Sequence, residues 1–514
     1  MVSYTQSPLV SSLRGRIPEP NKTIRDQVCD QTYVALRDFY THLPQKMSAT
    51  GIDPLEQIRL LKTTSDHMFT RRLLSIMTHL RDRHTTLRLP APWANMVAYM
   101  PLIIEQYFDG QLHRYIVTKQ MFGFKDIPIG AEITHWNGMP IHNFVNSLAK
   151  ESQGANRGAR VRLALSNLTV RPLAYQLMPT EDWVTFTYLN TKGKLDTVST
   201  PWRFYVNAAS GGAVHVSSGM ASGKTALYYG VDEQTLISNN FKKLSSTSAK
   251  SKKALTTYEN IRYGTIDTPS GPCAFLRIFN FEVPDADVFV KKIAAVLASL
   301  PQDRLIIDVR GNPGGLIPSG QKLIRILTKE ANLEASPIAF RATHSTEMLA
   351  SLPQFLDWKN SLRLQSATAN IWSQSYTIAD YDKGPSEYRY SGKVGLIIDA
   401  LCYSTTDFFT ADFVDNGVGT VVGVDSTTGG GGANVWSWGI LTQFTKQVGL
   451  QDPKPLPQGY DLNVSMRRAY RTGYSAGLPI EDLGVPADIV HKLTLNDILD
   501  NNKDLLALTA AQLV

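Results

Sequence analysis

In the segment VGLIIDALCYSTTDFF, residues 394–409, an apolar, β-branched run gives way at Asp399 to small polar residues and then to two phenylalanines. A buried strand that ends there and turns into a helix presents one side chain beside the free N–H groups of the helix start, where α/β folds place their chemistry. Two nucleophiles compete for that position. Cys402 is intrinsically the more reactive, whereas Ser404 needs an adjacent base to remove its proton. Ser404-Thr405-Thr406-Asp407 also reads as a capping box, in which the serine oxygen and an acid three residues on satisfy the first N–H groups of a helix. On this segment alone, cap and nucleophile both stand.

A second loop, DVRGNPGG at residues 308–315, follows another continuous apolar strand. Gly314 and Gly315 lack the Cβ atoms that would keep backbone N–H groups away from a ligand. Asn-Pro-Gly-Gly is equally a good plain turn, and Asp308 with Arg310 could be an ion pair that holds it together with Asn312.

These loops need a scaffold. At 514 residues the chain exceeds one ordinary core, and 43% apolar with 19% charged residues describes a globular protein. Residues 22–88 recur apolar at three- and four-residue steps, predicting a helical layer within an N-terminal region 1–95. Residues 96–206 alternate in short runs, with an Asn137-Gly138 hairpin turn, predicting a separate β-rich module. Residues 207–256 are rich in Ser, Gly, Ala and Lys and read as a connection. From 257 to 492 strands alternate with amphipathic helices, interrupted by an irregular insertion at about 331–390, which predicts a layered, largely parallel sheet; residues 493–514 follow as a C-terminal segment. The fold class is thus multidomain α+β and α/β.

The charge of +7 is partly concentrated in Lys242, Lys243, Lys250, Lys252 and Lys253, and no basic helix interleaves with aromatics, so nucleic-acid binding is not expected. GMASGKT encloses only three residues between Gly219 and Gly223, one too few for a phosphate-binding loop. Three distant cysteines, Cys29, Cys273 and Cys402, suit neither a disulfide framework nor a clustered metal site. No run has the length of a signal peptide's apolar core or of a membrane span, so a cytoplasmic location is expected, with a secreted or periplasmic one open if a leader has been removed.

Together the two loops resemble those of the tail-specific, C-terminal-processing and tricorn serine peptidases. Asp308, Arg310, Asn312, Gly314 and Gly315 match that family's Asp-Leu/Val-Arg-x-Asn-x-Gly-Gly loop, and Ser404 to Phe409 its Ser-Ala-x-Glu-x-Phe segment. GVGTVVGVDSTTGGGG and IEDLGVPADI are similar to two later motifs in the same order. Family members that use a lysine base carry it beyond the serine. Here Gly429 to Gly432 occupy that region, and there is no lysine between Asp407 and Lys446. Tricorn and the chlamydial protease-like activity factor use a histidine and a glutamate instead. His84, in RDRHTTLRLP, resembles that histidine, and Glu481 the glutamate, with Asp482 as the fallback. Arg83 stands where tricorn has a bridging serine.

The resemblance implies a crotonase-like α/β catalytic domain and a PDZ-like middle module, since FKDIPIGAEITHWNGMPI is similar to a PDZ segment. It implies peptide-bond hydrolysis through an acyl-enzyme on Ser404, with His84 as general base, Glu481 as orienting acid, and N–H groups of Gly314 or Gly315 and of Thr405 as the oxyanion hole. Peptide or protein substrates are implied, without metal or organic cofactor, and oligomer formation is left open. The rival readings are esterase, lactonase or cyclase chemistry on the same scaffold, and a catalytically silent binding relative.

Overall fold

Strand Lys393–Ile398 is buried at every residue but its first, as a central parallel strand covered on both faces must be. The computed structural model describes residues 4–63, 68–206, 241–243, 255–330, 332–378 and 387–514. In it, this strand lies within a seven-stranded sheet ordered Thr256–Tyr258, Ile261–Thr268, Gly271–Ile278, Arg304–Asp308, Lys393–Ile398, Thr420–Gly423 and Ile489–Val490. The first three pair antiparallel; from Gly271–Ile278 onward neighbours are parallel. Helices Ala286–Ala298, Ile317–Leu327 and Thr405–Asp415 cover one face, packing Val290, Ile293, Leu323 and Phe409 on Leu305, Ile307 and Leu396. The first of these helices starts where Asp285 Oδ1 accepts from Val288 N–H at 2.9 Å.

The opposite face is closed by the last helix, Lys503–Ala511, whose Leu505 and Ala510 pack with Ile306, Ile397 and Val422. The segment expected to follow the catalytic domain from 493 therefore shares its core.

A smaller sheet is built around Asp461–Ala469, flanked by Thr86–Arg88, Ile338–Phe340 and Ala433–Ser437. Helices Lys22–Val34, Leu43–Thr50, Pro54–Thr63 and Phe69–His79 form the predicted helical layer, and its Val28, Leu73 and Met77 share a core with Trp436, Leu462 and Val464 of this sheet. The insertion read as irregular instead supplies Ile338–Phe340 and helices His344–Leu349 and Leu356–Arg363. These elements are too short to show a periodic run; Trp358 holds them by donating its indole N–H to Ile338 O at 3.0 Å.

The middle module has the predicted strands, and its Asn137-Gly138 turn has both φ angles positive, at 48° and 76°, with Trp136 opposite Met139. It also holds helices Ile141–Lys150 and Arg157–Ser166. Its core takes in Tyr4, Val10 and Leu13, and Val10 N–H donates to Trp202 O at 3.0 Å. The first residues of the region 1–95 thus belong with the β module rather than with the helical layer. Of the expected connection 207–256, Phe241–Lys243 pairs with strand Leu112–Met121 and Thr256–Tyr258 joins the large sheet, while 207–240 and 244–254, including GMASGKT, lie outside the described residues. Among the described residues no helix is long and apolar enough to cross a membrane.

Candidate active site

Ser404 sits at the junction of strand loop and helix with φ 59° and ψ −124°, and its side chain makes no capping hydrogen bond. The serine half of the capping box is therefore not made, although Asp407 accepts from the Ser404 backbone N–H, and capping does not account for the serine side chain. A non-glycine residue held at positive φ costs about 1–3 kcal/mol and persists only where neighbours over-determine it. Here Tyr403 N–H donates to Asn312 O at 3.0 Å, which joins the serine turn to the 308–315 loop. Gly314, at φ 101°, lies so close that a Cβ there would stand 2.5 Å from Ser404 Cβ, 2.7 Å from Tyr403 O and 2.8 Å from Thr405 N.

The glycine loop is anchored from below. Asp308 pairs with Arg277 and, at 2.8 Å, with Arg310. Burial opposes its ionisation, but the two guanidinium groups outweigh burial and bring it down to about 2. Asn312 is fully buried, donates to Ile278 O at 3.2 Å and accepts from Gly314 N–H at 2.9 Å. Gly314 N–H is thus occupied. Neither Gly315 N–H nor Thr405 N–H donates a hydrogen bond among the described residues, although Thr405 Oγ1 donates to Gly315 O at 2.7 Å.

Cys402 points inward: its thiol is buried, lies 3.1 Å from Val309 O, and is pushed well above the ordinary thiol range by burial and then by Asp399. A thiol so placed is poorly suited to nucleophilic attack.

Tyr403 is the hub between serine and histidine. Its ring meets the His84 ring edge-on at 5.2 Å between centroids, and Arg83 lies 5.3 Å from its centre. Glycines enclose it: a Cβ at Gly431 would stand 2.0 Å from Tyr403 Cε1 and 2.9 Å from His84 Cε1, and one at Gly429 2.1 Å from Tyr403 Cδ2. Asp407 holds this run by accepting from Thr428 Oγ1, Gly430 N–H at 3.2 Å and Gly431 N–H at 2.8 Å. Burial pushes Asp407 up to about 7 against those donors.

His84 is buried on the turn before Thr86–Arg88, where Asp82 Oδ1 accepts its backbone N–H at 2.7 Å. Burial, reinforced by Arg83 and Lys46, lowers it to about 4 despite the opposing Asp82. Asp82 also accepts from Thr85 Oγ1 and Ser465 Oγ, each at 2.9 Å. Glu481 follows Ile480, whose N–H donates to Ala469 O at 3.1 Å. One strand, Asp461–Ala469, thereby carries the histidine turn, the glycine run and the glutamate turn.

The Glu481 carboxylate meets Lys46 Nζ at 2.7 Å and His42 Nε2 at 3.6 Å. Asp482, the alternative acid, binds the same Lys46 and accepts from Gln45 Nε2 at 2.6 Å. His42, Asp82 and Glu481 place donor atoms within 4.8 Å of one another, and the Lys46 ammonium brings positive charge to that cluster.

His42, Lys46, Asp82 and Tyr403 are the site residues that sequence reasoning missed. The spacing of His42 and Lys46 sets them on one helix face, but nothing local marks a lysine as buried. The middle module also reaches the site. Tyr403 Oη accepts from Ala155 N–H at 3.1 Å, Asn156 Nδ2 donates to Thr428 O at 2.8 Å, and Arg162 pairs with Asp425 at 2.7 Å.

Residues 272–437 match the model of Peptidase family S41, and residues 96–209 that of a PDZ domain. Among solved structures, mature CPAF is similar at 18% identity and a TM-score of 0.66, over 95% of this chain and 96% of that one. Mature CPAF complexed with lactacystin is similar at 19% identity and a TM-score of 0.64, over 95% and 99%. At these identities the likeness speaks for the fold. No curated protein sequence matches the chain.

Proposed function

From a chain whose Peptidase family S41 domain makes it a serine peptidase, acting on peptide or protein substrates and carrying a PDZ domain beside it, we propose a mechanism in which Ser404 is the nucleophile and His84 its general base. The observation that carries this reading is the strained, uncapped Ser404 at the start of helix Thr405–Asp415, with the ring of the preceding residue packed on His84. The hydroxyl attacks the substrate carbonyl as His84 takes its proton; the imidazolium then returns a proton to the leaving amine. The acyl-enzyme is released by water activated at the same histidine.

The developing oxyanion is assigned to Thr405 N–H and Gly315 N–H, neither of which has an acceptor among the described residues, with the dipole of the new helix behind Thr405. Gly314 acts as the close-packed floor under Ser404. Glu481 is the orienting acid of this reading, raised well above the ordinary carboxylate range by burial against the pull of Lys46, while Asp82, held low, is the carboxylate that favours the imidazolium.

A fluorophosphonate probe tests this directly. Mass spectrometry should locate the adduct on Ser404, and His84→Ala should abolish capture; an adduct on any other residue would overturn the assignment.

A further inference from the structure

Lys46 is nearly as buried as Glu481, at 3% exposure, although neither motif nor spacing singles it out. The Lys46 ammonium donates hydrogen bonds to Arg81 O at 2.9 Å and to Asp482 Oδ1, and forms an ion pair with Glu481 Oε1 at 2.7 Å. Those acceptors belong to two different turns. Arg81 opens the turn that carries Asp82 and His84, while Glu481 and Asp482 form the other. Both turns contain a non-glycine residue at positive φ, Arg81 at 51° and Asp482 at 68°, so each needs outside contacts to hold its shape. Lys46 reaches both from a third element, helix Leu43–Thr50.

We propose that Lys46 is a positioning residue of the peptidase reaction, a buried ammonium that fastens the glutamate turn to the histidine turn and so fixes Glu481 relative to His84. The inference rests on the assignment of Ser404, His84 and Glu481 given above. Its charge also fits the place. Glu481, Asp482 and Asp82 all favour the ammonium form, which stays protonated against its own burial. Without Lys46, Glu481 and Asp482 would face each other with Arg468 beside both and Arg160 beside Asp482. His42 and Asp82 complete the groups around Glu481, and Asp82, Arg83, Tyr403 and Lys46 those around His84.

The test compares fluorophosphonate capture by Ser404 across pH for the full chain and for Lys46→Arg, Lys46→Met, Glu481→Gln and the double variant Lys46→Met/Glu481→Gln. A misplacement of about 1 Å can cost roughly 100-fold in rate, and Lys46→Met should lose about that much. Its acid limb should also move to higher pH, because Lys46 holds the His84 pKa down. A lysine that only stabilised the fold would lower the melting temperature and leave the rate on the plateau above the limb near wild type. Lys46→Arg should recover most of the rate.

The double variant, which leaves no half of the Lys46–Glu481 pair uncompensated, should be no slower than Glu481→Gln alone, since Lys46 acts through Glu481. If Lys46→Met fails to fold, this comparison decides: a double variant far slower than Glu481→Gln overturns the proposal. Near-wild-type capture by Lys46→Met on the plateau above the limb overturns it too, whether or not the limb moves. A normal rate in Glu481→Gln would instead sink the triad assignment on which it rests.

Discussion

The ring of Tyr403 packs edge-on against that of His84, with centroids 5.2 Å apart and planes at 62°. Tyr403 immediately precedes the strained Ser404, so one buried phenol links the proposed base to the proposed nucleophile. Removing its hydroxyl in Tyr403→Phe strands the Ala155 N–H that now donates to it, an expected loss of about 1–3 kcal/mol with little change in catalysis. Tyr403→Ala opens a cavity beside His84 and should cost about 3–5 kcal/mol and most of the peptidase rate. Thermal unfolding and peptide hydrolysis measured on the same preparations separate the two effects. Equal rates in both variants would show that the ring does not position the histidine.

The nucleophile is tested by a pair of substitutions. Ser404→Ala should lower hydrolysis by about 10⁴-fold or more, as loss of the nucleophile does in other serine peptidases. Cys402→Ala should stay near the wild-type rate, because the thiol is turned into the core toward Val309 O. A folded but inactive cysteine variant beside an active serine variant would reverse the assignment.

The α/β alternation of the catalytic domain is legible in the sequence because each strand is a continuous apolar run and each helix an amphipathic one. The two loops are legible because glycines, a serine and charged residues interrupt those runs at strand ends. What the sequence does not disclose depends on distance along the chain. Lys46 meets Glu481 across more than four hundred positions, and its burial comes from helix packing that no local window contains. The same holds for Tyr4 and Val10, which the sequence places in the N-terminal region with the helical layer and which instead pack with Trp202 and Phe204 in the core of the β module. Glu481 illustrates the limit best: its motif marks the position, while its partners, Lys46 and His42, come from a different region.

The pH dependence follows from His84. From the sequence, a histidine base near 6.5 or somewhat above it would be expected, raised by its acid. In the fold, burial with Arg83 and Lys46 prevails and brings it to about 4. On the proposed assignment the neutral ring is the base, so the acid limb of kcat/KM should lie well below 6.5, and activity should persist in mildly acidic buffer. Stability follows the same proton. Between about 4 and 6.5 the unfolded chain binds a proton at this position that the native chain does not, so stability falls as pH falls through that window. His42, lowered in the same direction by burial, adds to the slope. An acid limb at or above 6.5 in the free enzyme would show that His84 is not held neutral as described.

The close approach of the two loops gives the sharpest steric test. Gly314→Ala places a methyl group 2.5 Å from Ser404 Cβ and against the backbone at Tyr403 and Thr405, at a φ of 101° that alanine resists. Neither backbone contact can yield without moving Ser404 or the Thr405 N–H assigned to the oxyanion. Hydrolysis should therefore fall by roughly 10²-fold or more, comparable to removing an oxyanion donor. Gly431→Ala acts from the other side, 2.0 Å from the Tyr403 ring and 2.9 Å from His84 Cε1, and should be as damaging. Gly439→Ala, where nothing lies within 4 Å of the added carbon, is the control and should leave activity unchanged. Steady-state rates, with circular dichroism to confirm folding, decide the matter. Full activity in Gly314→Ala would mean that the 308–315 loop does not lie against Ser404 in the working enzyme.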